Sequence, residues 1–168
     1  MLETSLFMLV GATMIAAAAY DVMTLTIPNW ISLALLALFP VLALVAGLGW
    51  HELAVYGGIG VAALIIGVAA FAFGVVGGGD AKLFAAVALY MGPLGIAPYV
   101  LDVAVAGGIL AMIFLVLHQP RLEEWTRRSP VLAQIVSRGM AIPYGVAIVA
   151  GGLIAFPSSH LFSLIAVA

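Results

Sequence analysis

The chain has 168 residues, of which 66% are hydrophobic and 7% are charged. Soluble domains carry about 25% charged residues, so this composition excludes an ordinary soluble domain and indicates a membrane protein. The net charge of −2 leaves no basic surface for nucleic acid. The absence of cysteine excludes disulfides, thiolate catalysis and cysteine-based zinc sites.

Apolar segments follow one another along the chain and predict an all-α membrane protein in a single domain, residues 1–168. A membrane-spanning helix needs about 20 apolar residues. Residues 4–21 form the first predicted span, and no positively charged segment precedes it, which argues against a cleaved signal peptide. The other predicted spans are 30–48, 53–76, two within 81–118, and 141–157, followed by a short apolar tail. We therefore expect about six spans.

Prolines and glycines mark the expected interruptions between these spans. The polar link at residues 24–29 contains Pro28, which keeps Ile27 out of the helical region and favours a new helix after the link. Within residues 81–118, breaks are expected near Gly92-Pro93 and near Ala97-Pro98.

The basic residues predict the orientation of the spans. If the N-terminus lies outside, the segments 22–29, 77–82 and 119–140 lie in the cytoplasm. These segments then contain every basic residue of the chain, namely Lys82, Arg121, Arg127, Arg128 and Arg138. This distribution agrees with the positive-inside rule. Residues 119–140 are predicted to be a cytoplasmic loop with the composition of an interfacial helix.

A glycine-rich segment with two charges, Gly77-Gly78-Gly79-Asp80-Ala81-Lys82, separates two long apolar runs. A charged side chain at the centre of a bilayer costs about 2.5–3.5 kcal/mol on insertion scales, so such residues indicate function. Three consecutive glycines favour a flexible loop that admits an extended substrate backbone. We expect Asp80 to cap the helix that follows.

Asp21, at the end of the first predicted span, is the expected partner of Asp80 because both lie on the predicted cytoplasmic face. Packing of the first span against the fourth would bring the two carboxyl groups together. Two adjacent carboxyl groups share a proton, which supplies a base to activate water and an acid to protonate a leaving amide nitrogen. Their helix positions favour the charge on Asp80 and the shared proton on Asp21.

Structural interpretations exist for each of these residues. A role as helix N-cap alone would explain the presence of Asp80, and a position at the membrane interface would explain the presence of Asp21. Pro28 and Asn29 suit a turn, and the segment Pro143-Tyr144-Gly145 suits a helix start with an interfacial tyrosine. The alternative function is a transporter or assembly subunit that uses the aspartates as a proton or cation site. His51, His118 and His160 are too far apart in the sequence to suggest a ligand cluster.

The motifs resemble those of a known family. Gly77-x-Gly79-Asp80 is similar to the Gly-x-Gly-Asp motif of intramembrane aspartic peptidases. Together with Asp21, the segment 26–29 (Thr-Ile-Pro-Asn), Lys82 and the segment 143–145 (Pro-Tyr-Gly), it resembles the type IV prepilin leader peptidases. The small members of that family, which serve Tad/Flp pilus systems, have about this length.

The resemblance implies a peptidase without cofactor or metal that cleaves a prepilin or pseudopilin at the cytoplasmic face of the bacterial inner membrane. Cleavage would follow a glycine that ends a short basic leader, and pilus assembly components would be further partners. The implied catalytic residues are Asp21 and Asp80. The implied supporting residues are Gly77, Gly78, Gly79, Lys82, Pro28, Asn29, Pro143, Tyr144 and Gly145. Larger members carry a cytoplasmic domain with paired Cys-x-x-Cys motifs, which this chain lacks, so N-methylation of the product is not expected.

Overall fold

The structure, a computed structural model, describes residues 1–119, 128–129, 139 and 141–167. Its helices are α1 (Leu2–Thr24), α2 (Asn29–Val45), α3 (Trp50–Ala72), α4 (Gly78–Leu117), α5 (Tyr144–Ala155) and α6 (His160–Val167). A single 3₁₀ turn, Phe156–Ser158, joins α5 to α6, and the described residues contain no β-strand. The predicted all-α class is therefore confirmed for this part of the chain.

Long apolar helices make the chain a multi-pass membrane protein. In the part of the chain that the structure describes, three helices, α1, α3 and α4, are long and apolar enough to cross a membrane. The pair α5 and α6, bent by 64° at the 3₁₀ turn, is a fourth candidate, whereas α2 is shorter with 17 residues. The predicted number of six spans and the outward N-terminus stay predictions. The predicted cytoplasmic loop at 119–140 lies almost entirely outside the described residues.

Helix α4 is broken at one glycine. Gly92 has φ 61° and ψ −171° inside an otherwise helical segment. A Cβ at this glycine would lie 2.4 Å from Cζ of Tyr56 on α3, so the break also admits the tyrosine ring. The break predicted at Gly92-Pro93 is confirmed, but the break predicted at Ala97-Pro98 is wrong. The helix continues through Pro98, as membrane helices often do when neighbouring groups compensate for the missing N–H.

Helix α4 lies at the centre of the bundle and packs against α2, α3 and α5. Its residues from Ala85 to Gly92 are all buried. The close approach of α5 to α4 depends on glycines of α5, because a Cβ at Gly151 would lie 2.6 Å from the backbone nitrogen of Val103 on α4. Small residues of this kind let helices of a membrane bundle approach closely.

We predict that Gly151→Ala destabilises the bundle while Gly58→Ala does not. The added methyl group at Gly151 meets the backbone of α4, and such overpacking costs about 1–3 kcal/mol. No atom lies within 4 Å of a Cβ at Gly58, where alanine raises helix propensity by about 1 kcal/mol. Thermal unfolding in detergent measures both effects, and equal melting temperatures for the two variants would contradict the described packing of α5 on α4.

Candidate active site

Asp21 is a buried carboxylate held by a backbone donor from a distant helix. It lies in the last turn of α1, and its side chain is 4% exposed. The N–H of Gly145, the second residue of α5, donates a hydrogen bond of 2.7 Å to Asp21 Oδ2. Burial of a carboxyl group without a hydrogen-bond partner costs free energy. The hydrogen bond from Gly145 therefore compensates for part of the hydration that Asp21 loses.

Asp80 lies in the first turn of α4 rather than at its cap. The helix begins at Gly78, so Gly77 is the N-cap residue and Asp80 is the third residue of the helix. The expectation that Asp80 itself is the cap is therefore wrong. Its carboxylate reaches back to the Gly77 backbone, where a Cβ would lie 2.8 Å from Asp80 Oδ2. A carboxylate in the first turn of a helix is also stabilised by the positive end of the helix dipole.

The glycines that precede Asp80 are packing residues as well as turn residues. Gly78 and Gly79 are helical, so the expectation of a flexible loop through all three glycines is wrong for these two. A Cβ at Gly79 would lie 3.2 Å from Cβ of Ile27, and one at Gly78 would lie 3.4 Å from the ring of Phe71. The absence of side chains thus lets the start of α4 approach the link between α1 and α2.

Ile27 lies in the link that follows α1, and it contacts the first turns of α4 and α5. Besides its contact with Gly79, its Cδ1 lies 2.9 Å from the position of a Cβ at Gly145. Pro28, directly after it, is extended with φ −60° and ψ 136°, and α2 begins at Asn29 as predicted, whereas Leu25 at the start of the link is left-handed with φ 53°. Ile27 is not among the site residues predicted from the sequence. An apolar residue in a polar link, directly before a proline, was the available signal.

The two carboxyl groups lie at the same end of the bundle, where Gly145 beside Asp21 and Gly79 beside Asp80 both approach Ile27. The sequence predicted that direct packing of α1 on the start of α4 brings the two carboxyl groups together. Instead, α1 packs mainly against α2 and α5, and α5 packs against α4. Gly152 illustrates this arrangement, because a Cβ there would lie 2.7 Å from Met14 on α1 and 2.8 Å from Val87 on α4. Helix α5 therefore joins the two helices that carry the aspartates.

Lys82 and Asn29 form a polar pair between α4 and α2. The Lys82 ammonium donates a hydrogen bond of 2.8 Å to Asn29 Oδ1. Both side chains are exposed, and both belong to the motifs that the sequence analysis selected. The structure thus gives Lys82 a partner directly after Pro28, a contact that the sequence did not predict.

The remaining predicted site residues, Pro143 and Tyr144, lie at the start of α5. Pro143 is buried and is the N-cap residue of that helix, directly before Tyr144 and Gly145. The Tyr144 ring lies beside Gly107 of α4, 3.6 Å from the position of a Cβ there, and its side chain is 42% exposed. Of the Pro-Tyr-Gly segment, Gly145 is the residue in contact with Asp21.

Other polar residues lie away from this site. Glu52, at the start of α3, is 3.7 Å from His160 at the start of α6. Neither residue is among the site residues predicted from the sequence. Among the described residues, no three histidine, aspartate or glutamate side chains form a cluster suited to a metal ion.

Comparison with known proteins gave one match. A family model described as the type IV leader peptidase family matches residues 8–116. This range contains Asp21, the link at 24–29 and the glycine segment with Asp80, and it ends before α5. No curated protein and no solved structure matches the chain significantly.

We predict that Gly79→Ala is more destabilising than Gly78→Ala. The added methyl group at Gly79 meets Cβ and the backbone of Ile27, which have little freedom to move, and overpacking of this kind costs about 1–3 kcal/mol. At Gly78 it meets the outer edge of the exposed Phe71 ring, which can shift. Thermal unfolding of the two purified variants compares them directly. A Gly79→Ala variant as stable as Gly78→Ala would contradict the close contact of α4 with Ile27.

Proposed function

Because the chain belongs to the type IV leader peptidase family, we propose that it is a membrane-embedded aspartic endopeptidase that removes the leader of a prepilin. The observation that carries the proposal is the meeting of distant motifs at one end of the bundle. Asp21 contacts Gly145, Gly145 contacts Ile27, and Ile27 contacts Gly79 beside Asp80.

In the proposed reaction, Asp21 and Asp80 share one proton and act on a water molecule. The ionised carboxylate removes a proton from water, whose oxygen attacks the carbonyl carbon of the scissile peptide bond. The protonated carboxyl group then donates its proton to the amide nitrogen as the carbon–nitrogen bond breaks. The products are a new carboxyl terminus on the leader and a new amino terminus on the mature protein. General acid–base catalysis of this kind contributes about 10²–10⁴-fold per group.

Gly145 supports this role by positioning Asp21. Its N–H donates to Oδ2, so this hydrogen bond does not use Oδ1. A residue with a side chain cannot replace it without movement, because a Cβ would lie 2.7 Å from Asp21 Oδ2 and 3.1 Å from Asp21 Cβ. Within the Pro-Tyr-Gly segment, the glycine therefore serves the carboxylate, and Pro143 fixes where α5 begins.

The proposed substrate is a prepilin or pseudopilin of the Flp type with a short basic leader. The family match supports prepilin-type substrates. We place the site at the cytoplasmic face of the inner membrane, since this orientation assigns the basic residues of the sequence to the cytoplasm. Pilus assembly components are the expected further partners.

The transport alternative has less support. Intramembrane transport sites commonly lie near the middle of the bilayer and between repeated halves. Asp21 lies in the last turn of its helix and Asp80 in the first turn of its own, at one end of the bundle. The family match is also to peptidases.

We predict that Asp21→Asn and Asp80→Asn each lower cleavage of a co-expressed prepilin by about 10²–10⁴-fold, because asparagine keeps the size of the side chain but cannot share the proton. Asp102→Asn is the matched control, since Asp102 is a third aspartate of a membrane helix that lies in the second half of α4. A gel shift of the prepilin measures cleavage at matched expression levels. Wild-type rates in either dyad variant would assign that aspartate a structural role.

We also predict that Gly145→Ala lowers cleavage about 100-fold, the effect of displacing a catalytic group by about 1 Å. Gly108→Ala is the matched control, because no atom lies within 4 Å of a Cβ at Gly108. The measurement is kcat and KM on purified prepilin, where displacement of Asp21 acts mainly on kcat. Unchanged kcat in a folded Gly145→Ala enzyme would contradict the positioning role.

A further inference from the structure

A second candidate site is a groove between α2, α3 and α4. A groove with a volume of about 590 Å³ is lined by one face each of α2, α3 and α4. Each helix contributes residues at spacings of three and four, which places them on a single helical face. Gly57 and Gly60 of α3 and Ala85 and Ala86 of α4 keep the groove wide because their side chains are small or absent.

The groove is apolar along its length and polar at one end. Its long walls are formed by residues such as Leu33, Leu36 and Leu64. The polar end holds Asn29 and Lys82, with Ser32 one helical turn farther along α2. Asn29 begins α2 and Lys82 lies in the second turn of α4, so this end coincides with the end of the bundle, at the level of lipid headgroups.

The polar end presents hydrogen-bond donors. Asn29 uses its carbonyl oxygen to accept from Lys82, which leaves its amide NH₂ as a donor. The ammonium keeps two further N–H groups and a positive charge. Asp80 lies two positions before Lys82, and residues at that spacing do not share a helix face. The chemistry that complements the groove is therefore an anionic group attached to an apolar chain.

We propose that this groove binds one anionic phospholipid. The phosphate lies at Lys82 and Asn29, and an acyl chain lies along Ala85 and Ala86 between α2 and α3. The length supports this assignment, since the lining residues extend over two helical turns, about 10 Å, from Lys82 to Leu89. Basic positions between membrane helices at the headgroup level attract anionic lipids. The site is separate from the proposed catalytic pair.

Native mass spectrometry of the full chain in a non-ionic detergent tests this proposal, with phosphatidylglycerol and phosphatidylcholine of identical acyl chains as probes. We expect one bound lipid, with about fivefold tighter binding of phosphatidylglycerol, the effect of one lysine at the headgroup level. Lys82→Gln removes the preference. Gly57→Leu fills the groove, because no atom lies within 4 Å of its Cβ position, and prevents binding of both lipids.

Gly58→Leu is the matched control for the groove variant, since Gly58 is its neighbour, has equally open space and does not line the groove. It is expected to bind both lipids like the wild type. Equal binding of the two lipids by the wild type, or an unchanged preference in Lys82→Gln, overturns the proposal. Normal lipid binding by Gly57→Leu also overturns it. If Gly57→Leu binds lipid normally but cleaves prepilin more slowly than Gly58→Leu, the groove holds the apolar segment of the substrate.

Discussion

The hydrogen bond from the Gly145 N–H to Asp21 is the contact on which the rest of the site depends. It fixes the end of α1 against the start of α5, and α5 in turn packs on α4, which carries Asp80. Ile27 fills the space between these helix ends and contacts the glycines on both sides. Any side chain at Gly79 or Gly145 would separate these elements.

Carboxylates are costly in a membrane protein, and the structure shows how this chain accommodates two. Both are placed at helix ends at one end of the bundle, where backbone N–H groups without helical partners are available. Asp21 takes the N–H of Gly145, and Asp80 reaches back to the backbone of Gly77. The glycines therefore serve two purposes, since they allow close helix packing and leave backbone donors accessible to carboxylates.

The sequence predicted much of this arrangement, because its signals are local. Apolar runs predicted the helices, Pro28 predicted the start of α2, and Gly92 predicted the break in α4. The contacts that assemble the site are not local. Nothing in the sequence identifies a backbone N–H of Gly145 as the partner of Asp21, or α5 as the helix between α1 and α4. The cap position of Asp80 was misjudged because Gly78 and Gly79 are poor helix formers whose helical state depends on tertiary contacts.

The central claim is that Asp21 and Asp80 act as a pair that shares one proton. The most direct test is the pH dependence of kcat/KM for cleavage of purified prepilin by the wild-type enzyme. A pair with one acid and one base predicts a bell-shaped profile, with activity lost both when the base is protonated and when the acid is ionised. A rate that rises with pH to a plateau and stays there would show that a single ionised group suffices, and it would contradict the paired mechanism.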